Sequence, residues 1–190
     1  MKNHFYAMMS RMKNIYRWGL MRNTRAENLS EHSLEVAFVA HALAIINNTR
    51  LGGNINPDKV AVAAMYHDTT EIITGDMPTP IKYYNCNIKK VYKDIEKIAE
   101  NRLMEKLPDD FKGEFSKIYN PENDIARLVK AADKISALIK CIEEANMGNR
   151  EFAKAEESTR KAIKELACSE ADIFMEEFLE SYSLSLDELN

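Results

Sequence analysis

Residues 64–76 read AMYHDTTEIITGD, and they follow VAVA at positions 60–63, which has the look of a buried helix face. Polar groups set into an apolar run lose hydration and need a partner to make up the loss. In a helix running from Pro57 to about Ile72, His67 and Glu71 stand at i and i+4, and Asp68 and Glu71 at i and i+3. All three side chains then share one face, which aims one nitrogen ligand and two carboxylates at the same place. An adjacent His-Asp pair often only caps or pairs locally. Its meaning depends on what the rest of the chain brings to it.

Working outward, six glycines and five prolines punctuate the chain, no stretch sustains period-two alternation, and helical spacing recurs nearly everywhere. The spacing predicts a first helix over 3–15, then an irregular stretch, YRWGLMRNTRAENLS. Asn28 and Glu31 can form a capping box, with Ser30 a competing cap, opening a helix to about 47. RLGGNINPDK is a turn, and Asn56-Pro57 starts the helix that carries the opening stretch. TGDMPTP leaves that helix, and a charged helix over 87–106 ends before Pro108. After a short element, Pro121 starts a long helix through 146, and a last one covers about 150–179. The fold class is all-α.

A chain of 190 residues reads as one domain, with a core over about 28–147. Helices over about 150–180 then pack on that core or form part of a subunit contact. A chain of this length buries roughly 70% of its unfolded surface, so no disulfide or structural metal is needed for the fold. The three cysteines are far apart and in no CxxC pair, which reads as reduced thiols. A net charge of −4 speaks against a nucleic-acid polymer as partner but allows a small phosphorylated ligand. Arg11 and Lys13 interrupt the N-terminus before a signal core forms, and no run is read as approaching the roughly 20 apolar residues of a membrane span. The expectation is a soluble, cytoplasmic protein with no membrane partner.

Two further residues join the His67-Asp68 pair. His32 lies in SEHS at the head of its helix, followed by the stripe Leu34, Val36, Val39, Leu43 and Ile46. Asp133 lies in LVKAADKISALIKCIEE, among apolar positions and flanked by Val129, Ala132, Ser136 and Ala137, small enough to leave room for an approach. A buried, unpaired Asp is unfavourable, and a cation is the economical explanation. His41, between VAFVA and ALAII, reads as a core or rim histidine, and His4 as exposed.

The order His…His-Asp…Asp over three helices resembles the HD-domain metal phosphohydrolases, which implies an HD-domain helical bundle with His32, His67, Asp68 and Asp133 as metal ligands. Two-metal HD proteins recruit extra histidines between the pair and the last Asp. None stands between Asp68 and Asp133, so one divalent ion per subunit is expected. The blocks YRWGLMRNTRAENLSEHS, AMYHDTTEIITGDMPTPIKY and LVKAADKISALIKCIEE, with the tail SLSLDEL, resemble the bacterial HD-domain 5′-deoxynucleotidases of the YfbR-like group. The position after the tryptophan, often proline in such proteins, is Gly19 here.

This resemblance implies hydrolysis of deoxyribonucleoside 5′-monophosphates by metal-activated water. Arg17 would orient the 5′-phosphate, a task suited to a guanidinium fork, although a surface ion pair is an equal reading of the residue alone. Trp18 would pack against the sugar and disfavour a ribose hydroxyl, or, on its chemistry alone, anchor the core. Asp76, Met77, Pro78 and Thr79 would line the nucleotide pocket, and His32, Asp68 and Asp133 would also touch substrate. Glu71 would move protons, with orientation of a ligand as its alternative role. Cobalt, then manganese or another borderline divalent ion, and a homodimer are implied by the resemblance only. Two rival readings stand: another HD-type enzyme (phosphodiesterase or triphosphohydrolase), and a metal-binding helical regulatory protein without turnover. A triphosphate would want several cations, and Lys82 and Arg22 are the few spare ones in these blocks.

Overall fold

The computed structural model describes residues 3–82 and 84–190, apart from the Thr79 side chain. In chain order the helices are α1 (Phe5–Met9), α2 (Leu29–Arg50), α3 (Pro57–Tyr66), α4 (Glu71–Thr74), α5 (Thr79–Lys82), α6 (Cys86–Met104), α7 (Lys112–Tyr119), α8 (Asn123–Asn146), α9 (Ala153–Glu165) and α10 (Ser169–Phe178). Short 3-10 turns join several of them, and the described residues contain no strand, only an isolated bridge between Tyr16 and Asn28.

Asn28 opens the central helix. Its side chain accepts from the Ser30 and Glu31 amides while Glu31 accepts from the Asn28 amide, so the capping box forms and Ser30 is not the cap. From there α2 buries Val36, Val39, Ala40, Leu43 and Ile46 against α3 and α8. Leu34 departs from its reading as a core position. It is half exposed and lies with Phe38 and Ile45 on the outer side of the helix. Among the described residues α2 alone is long and apolar enough to cross a membrane, which the sequence reading missed. It nevertheless sits at the centre of the bundle with its inner face covered by α3, α8 and α10, as core helices do.

The opening stretch also differs from a continuous helix. α3 ends at Tyr66, and residues 67–70 form a tighter turn before α4. The cause is local: His67 Nδ1–H donates to the Ala64 carbonyl at 2.7 Å, and Thr69 Oγ1–H to the Tyr66 carbonyl at 2.8 Å. Side chains thus occupy carbonyls that α-helical amides would use, and the backbone closes through i to i+3 bonds such as Thr69 N–H to Tyr66 O and Glu71 N–H to Asp68 O. Gly75, at φ 75, then turns the chain out of α4.

The helix predicted over 150–179 is two. α9 and α10 are separated at Ala167, whose φ is 48. That backbone is unfavourable for alanine by about 1–2 kcal/mol, and the start of α10 offsets it. Glu170, buried there, takes a forked pair from Arg127 of α8 at 2.7 and 2.8 Å and accepts from Asn47 of α2 at 2.6 Å. Ile163, Phe174 and Leu179 join the core that α2, α3 and α8 share.

The irregular stretch before α2 is a closed loop. Its ends are joined by Arg17 N–H to Glu27 O at 3.0 Å and Leu29 N–H to Ile15 O at 2.8 Å. Its tip is fastened to α8 by the buried Glu144 carboxylate, which accepts from the Thr24 amide, the Thr24 hydroxyl and Asn149 Nδ2, and pairs with Lys140. Lys140 in turn donates to the Arg25 carbonyl at 2.6 Å. Burial works against the Glu144 charge, but these donors outweigh it and hold its pKa at about 2. Glu144→Ala leaves a buried ammonium and several loop donors unmatched, a change of about 3–5 kcal/mol. Chemical denaturation of that variant should show a loss of this size, with Glu144→Gln intermediate.

Candidate metal centre

The capping box puts His32 one turn into α2, fully buried. The turn after α3 presents His67 and Asp68, and α8 presents Asp133. One ligand atom from each of these four residues lies within 4.8 Å of all the others. His67 Nε2 is 3.0 Å from Asp68 Oδ2, and His32 Nε2 is 3.3 Å from Asp133 Oδ1 and 3.6 Å from Asp68 Oδ2. The sequence reading named these four, and they meet at one point.

Both imidazoles are oriented from behind. The His67 Nδ1–H bond to Ala64 O leaves Nε2 facing the cluster. His32 Nδ1 lies 3.1 Å from Ser136 Oγ, whose own proton goes to Glu35 Oε2 at 2.5 Å. Ser136 therefore accepts from His32 Nδ1–H, and Nε2 is again the ligand nitrogen. Neither Nε2 atom has a hydrogen-bond partner although both are buried, and Glu71 Oε2 shares that condition. Two buried Nε2 atoms without hydrogen-bond partners, converging with the Asp68 and Asp133 carboxylates, fit a borderline divalent ion. Sequence reasoning missed the Ser136–Glu35 pair. The signals were a hydroxyl one turn past Asp133 and a carboxylate one turn past His32.

The charges bear on one another. Burial works to lower the His67 pKa, but the Asp68 carboxylate, helped by Asp133, raises it to about 9. Asp68 is held well below the carboxylate range by His67 and His32 against the opposing effect of burial. Asp133 is likewise lowered by His32 and Lys134, again against burial. Glu71 moves the other way. Burial, then Asp68 and Asp76, push it up to about 9, with Arg17 and Lys82 opposing.

Around the cluster, Arg17 is partly buried and its Nη1 reaches Asp68 Oδ2 at 3.4 Å, so it is no surface ion pair. Trp18 stacks obliquely on Phe152 with ring centroids 5.3 Å apart. Asp76, Met77 and Pro78 are half-buried between α4 and α5, while the Thr79 side chain lies outside the described residues. Burial raises the Asp76 pKa, and Arg17 and the Trp18 amide draw it back. A cleft of about 290 Å³ lined by Tyr66, His67, Tyr119, Val129, Lys130 and Asp133 gives access from the α7 side. His41 is half-buried away from this cluster and His4 is exposed, as read from sequence.

This bundle recurs in solved structures. An HD-domain phosphohydrolase from Listeria innocua superposes with a TM-score of 0.82 at 20% identity, covering 94% of this chain and 88% of that one. The cyanophage S-2L HD phosphohydrolase, bound to dA and one catalytic Zn2+ ion, superposes with a TM-score of 0.68 at 17% identity, covering 92% and 96%. At such identities the likeness speaks for the fold alone, a helical bundle that both of those HD-domain phosphohydrolases share. Relatives at higher identity show the family. A 5′-deoxynucleotidase of Pectobacterium atrosepticum is 50% identical over 100% of this chain and 96% of its own length, and one of Erwinia tasmaniensis 48% identical over 99% and 96%. The chain belongs to the YfbR-like 5′-deoxynucleotidase family, whose model matches residues 4–182.

A pH dependence follows. Without a cation, the native state holds protons on His67 and Glu71 up to about pH 9, whereas the ordinary values are 6.5 and 4.5. The native state then binds more protons than the unfolded one, so stability of the metal-free protein falls as pH rises from 6.5 towards 9. Metal affinity runs oppositely, because a ligating His67 must lose its proton: about tenfold tighter per pH unit below that pKa if one proton is released. Calorimetric titration of chelator-treated protein with Mn2+ at pH 6.5, 7.5 and 8.5, in buffers of different ionisation enthalpy, should show both the slope and the released proton.

Proposed function

We propose that the chain is a metal-dependent 5′-deoxynucleotidase that hydrolyses deoxyribonucleoside 5′-monophosphates to deoxynucleoside and phosphate. The observation that carries this reading is Arg17. A partly buried guanidinium 3.4 Å from Asp68, beside four converging candidate ligands, is suited to grip a phosphate next to a cation site.

His32, His67, Asp68 and Asp133 would hold one divalent ion. When bound, such an ion acidifies a water and offsets phosphate charge. Arg17 binds the phosphate and stabilises charge on its oxygens as the bond to the sugar breaks. Trp18, braced by Phe152, forms the wall against the sugar where a 2′-hydroxyl would have to fit. Asp76, Met77 and Pro78 would line the nucleotide pocket, as the resemblance also implies for Thr79, whose side chain is outside the described residues. Glu71, with its raised pKa of about 9, is suited to donate a proton to the departing 5′-oxygen.

Charge near the site supports a monophosphate over a triphosphate. The Arg22 guanidinium bonds Glu151 at 2.8 Å, and Lys82 bonds Glu96 at 3.0 Å and lies over the Tyr92 ring, so both of these cations are already engaged by other groups. Cobalt, with manganese next, belongs to this reading through the family resemblance. So does a homodimer, for which the outer side of α2 supplies Leu34, Phe38 and Ile45, with Val62 and Met65 of α3, as exposed apolar residues. A cytoplasmic location accords with three free thiols. In this reading the core spans about 28–147, with α9 and α10 packed on it.

The deciding experiment is phosphate release from dAMP, AMP, dATP and a cyclic nucleotide across Co2+, Mn2+ and Zn2+. Phosphate from dAMP well above AMP supports the reading; release of only pyrophosphate or triphosphate overturns the substrate assignment. Glu71→Gln should retain metal and lower kcat by about 10²–10⁴-fold, whereas Asp133→Ala should lose metal and turnover together. Full activity in Glu71→Gln would remove its proton-transfer role.

A further inference from the structure

Glu27 stands outside the ligand set and the substrate-contact set, yet it touches three members of them. Its Oε2 accepts from Trp18 Nε1–H at 2.9 Å and from Arg17 Nε–H at 3.3 Å. Its Oε1 lies 3.8 Å from His32 Nδ1, and its backbone carbonyl accepts the Arg17 amide at 3.0 Å. The carboxylate is largely buried, at 12% side-chain exposure. A desolvated carboxylate that takes two donors from consecutive residues holds them in a fixed mutual geometry.

Trp18 needs such a hold. Its φ of 58 is in the left-handed region, which a bulky side chain rarely adopts, so contacts outside its own backbone must hold the residue in place. Phe152 supports one side of the ring, and Glu27 fixes the edge that carries the N–H. Arg17 and Trp18 are thereby locked as a pair, with phosphate grip and sugar wall referred to one oxygen atom.

We infer that Glu27 is the positioning residue that sets selectivity for deoxyribose over ribose, by fixing the Trp18 indole and the Arg17 guanidinium at one carboxylate oxygen. The inference rests on the reading of Trp18 as the sugar wall. Loss of the carboxylate frees the ring to tilt, and the space for a 2′-hydroxyl opens. A general loss of packing would slow dAMP and AMP alike. Misplacement of the wall changes their ratio.

The test compares kcat/KM for dAMP and AMP in Glu27→Ala, Glu27→Gln, Trp18→Phe and Trp18→Ala, with bound metal measured for each variant. Trp18 is the chain's one tryptophan, so its fluorescence anisotropy reports ring freedom directly. Glu27→Ala should lower the dAMP/AMP ratio by about tenfold or more, the scale of one hydrogen bond to a charged acceptor, with metal retained and anisotropy reduced. Glu27→Gln, which keeps an acceptor oxygen, should hold most of the ratio. Trp18→Phe keeps a ring but removes the donor, and should lose as much selectivity as Glu27→Ala; it decides the matter if the alanine variant does not fold. An unchanged ratio in Glu27→Ala or in Trp18→Phe, with Trp18→Ala altering it, overturns the role of Glu27. An unchanged ratio in Trp18→Ala instead overturns the sugar-wall reading beneath it.

Discussion

Two imidazole nitrogens and two carboxylates held at one partly desolvated point are the constraint around which this molecule is arranged. Asp68 and Asp133 repel each other, and burial penalises both charges. They stay ionised because His32, His67 and Lys134 sit against them. A divalent cation held there would relieve the repulsion and take up the unpartnered Nε2 lone pairs at once. The arrangement that is unfavourable in isolation would thereby become the binding site.

Much of the remaining polar architecture serves this point from a distance. Ser136 with Glu35, and the Ala64 carbonyl, fix which nitrogen of each histidine faces inward. Glu144 and Lys140 hold the tip of the 16–28 loop on α8, and Glu27 ties the base of that loop to Arg17 and Trp18, beside the four-residue cluster. The loop has no secondary structure of its own, so its order comes from buried carboxylates reaching into it. That is how an irregular segment can hold a guanidinium and an indole in fixed positions.

The four clustered residues and the all-α class were legible because each rests on a local pattern: helical periodicity, an Asn28 capping box, and histidines and carboxylates in otherwise apolar helices. What escaped was non-local. The break at 67–70 arises when His67 and Thr69 side chains take backbone carbonyls, a competition that periodicity does not register. The division at Ala167 depends on Glu170 finding Arg127 and Asn47, which are 43 and 123 positions away. Leu34 looked like core by hydrophobicity, but its position falls on the outer side of α2. Glu27 and Glu144 gave no sign in sequence, since an acid in a polar stretch reads as solvated until the fold buries it.

The central claim is that one ion joins His32, His67, Asp68 and Asp133. A crystal structure of the Mn2+- or Co2+-loaded protein, with data collected at that metal's absorption edge, tests it directly. The account predicts a single anomalous peak per chain, about 2.0–2.3 Å from one atom of each of the four side chains. Two metal peaks in the site, or one peak that leaves His32 or Asp133 uncoordinated, would contradict it.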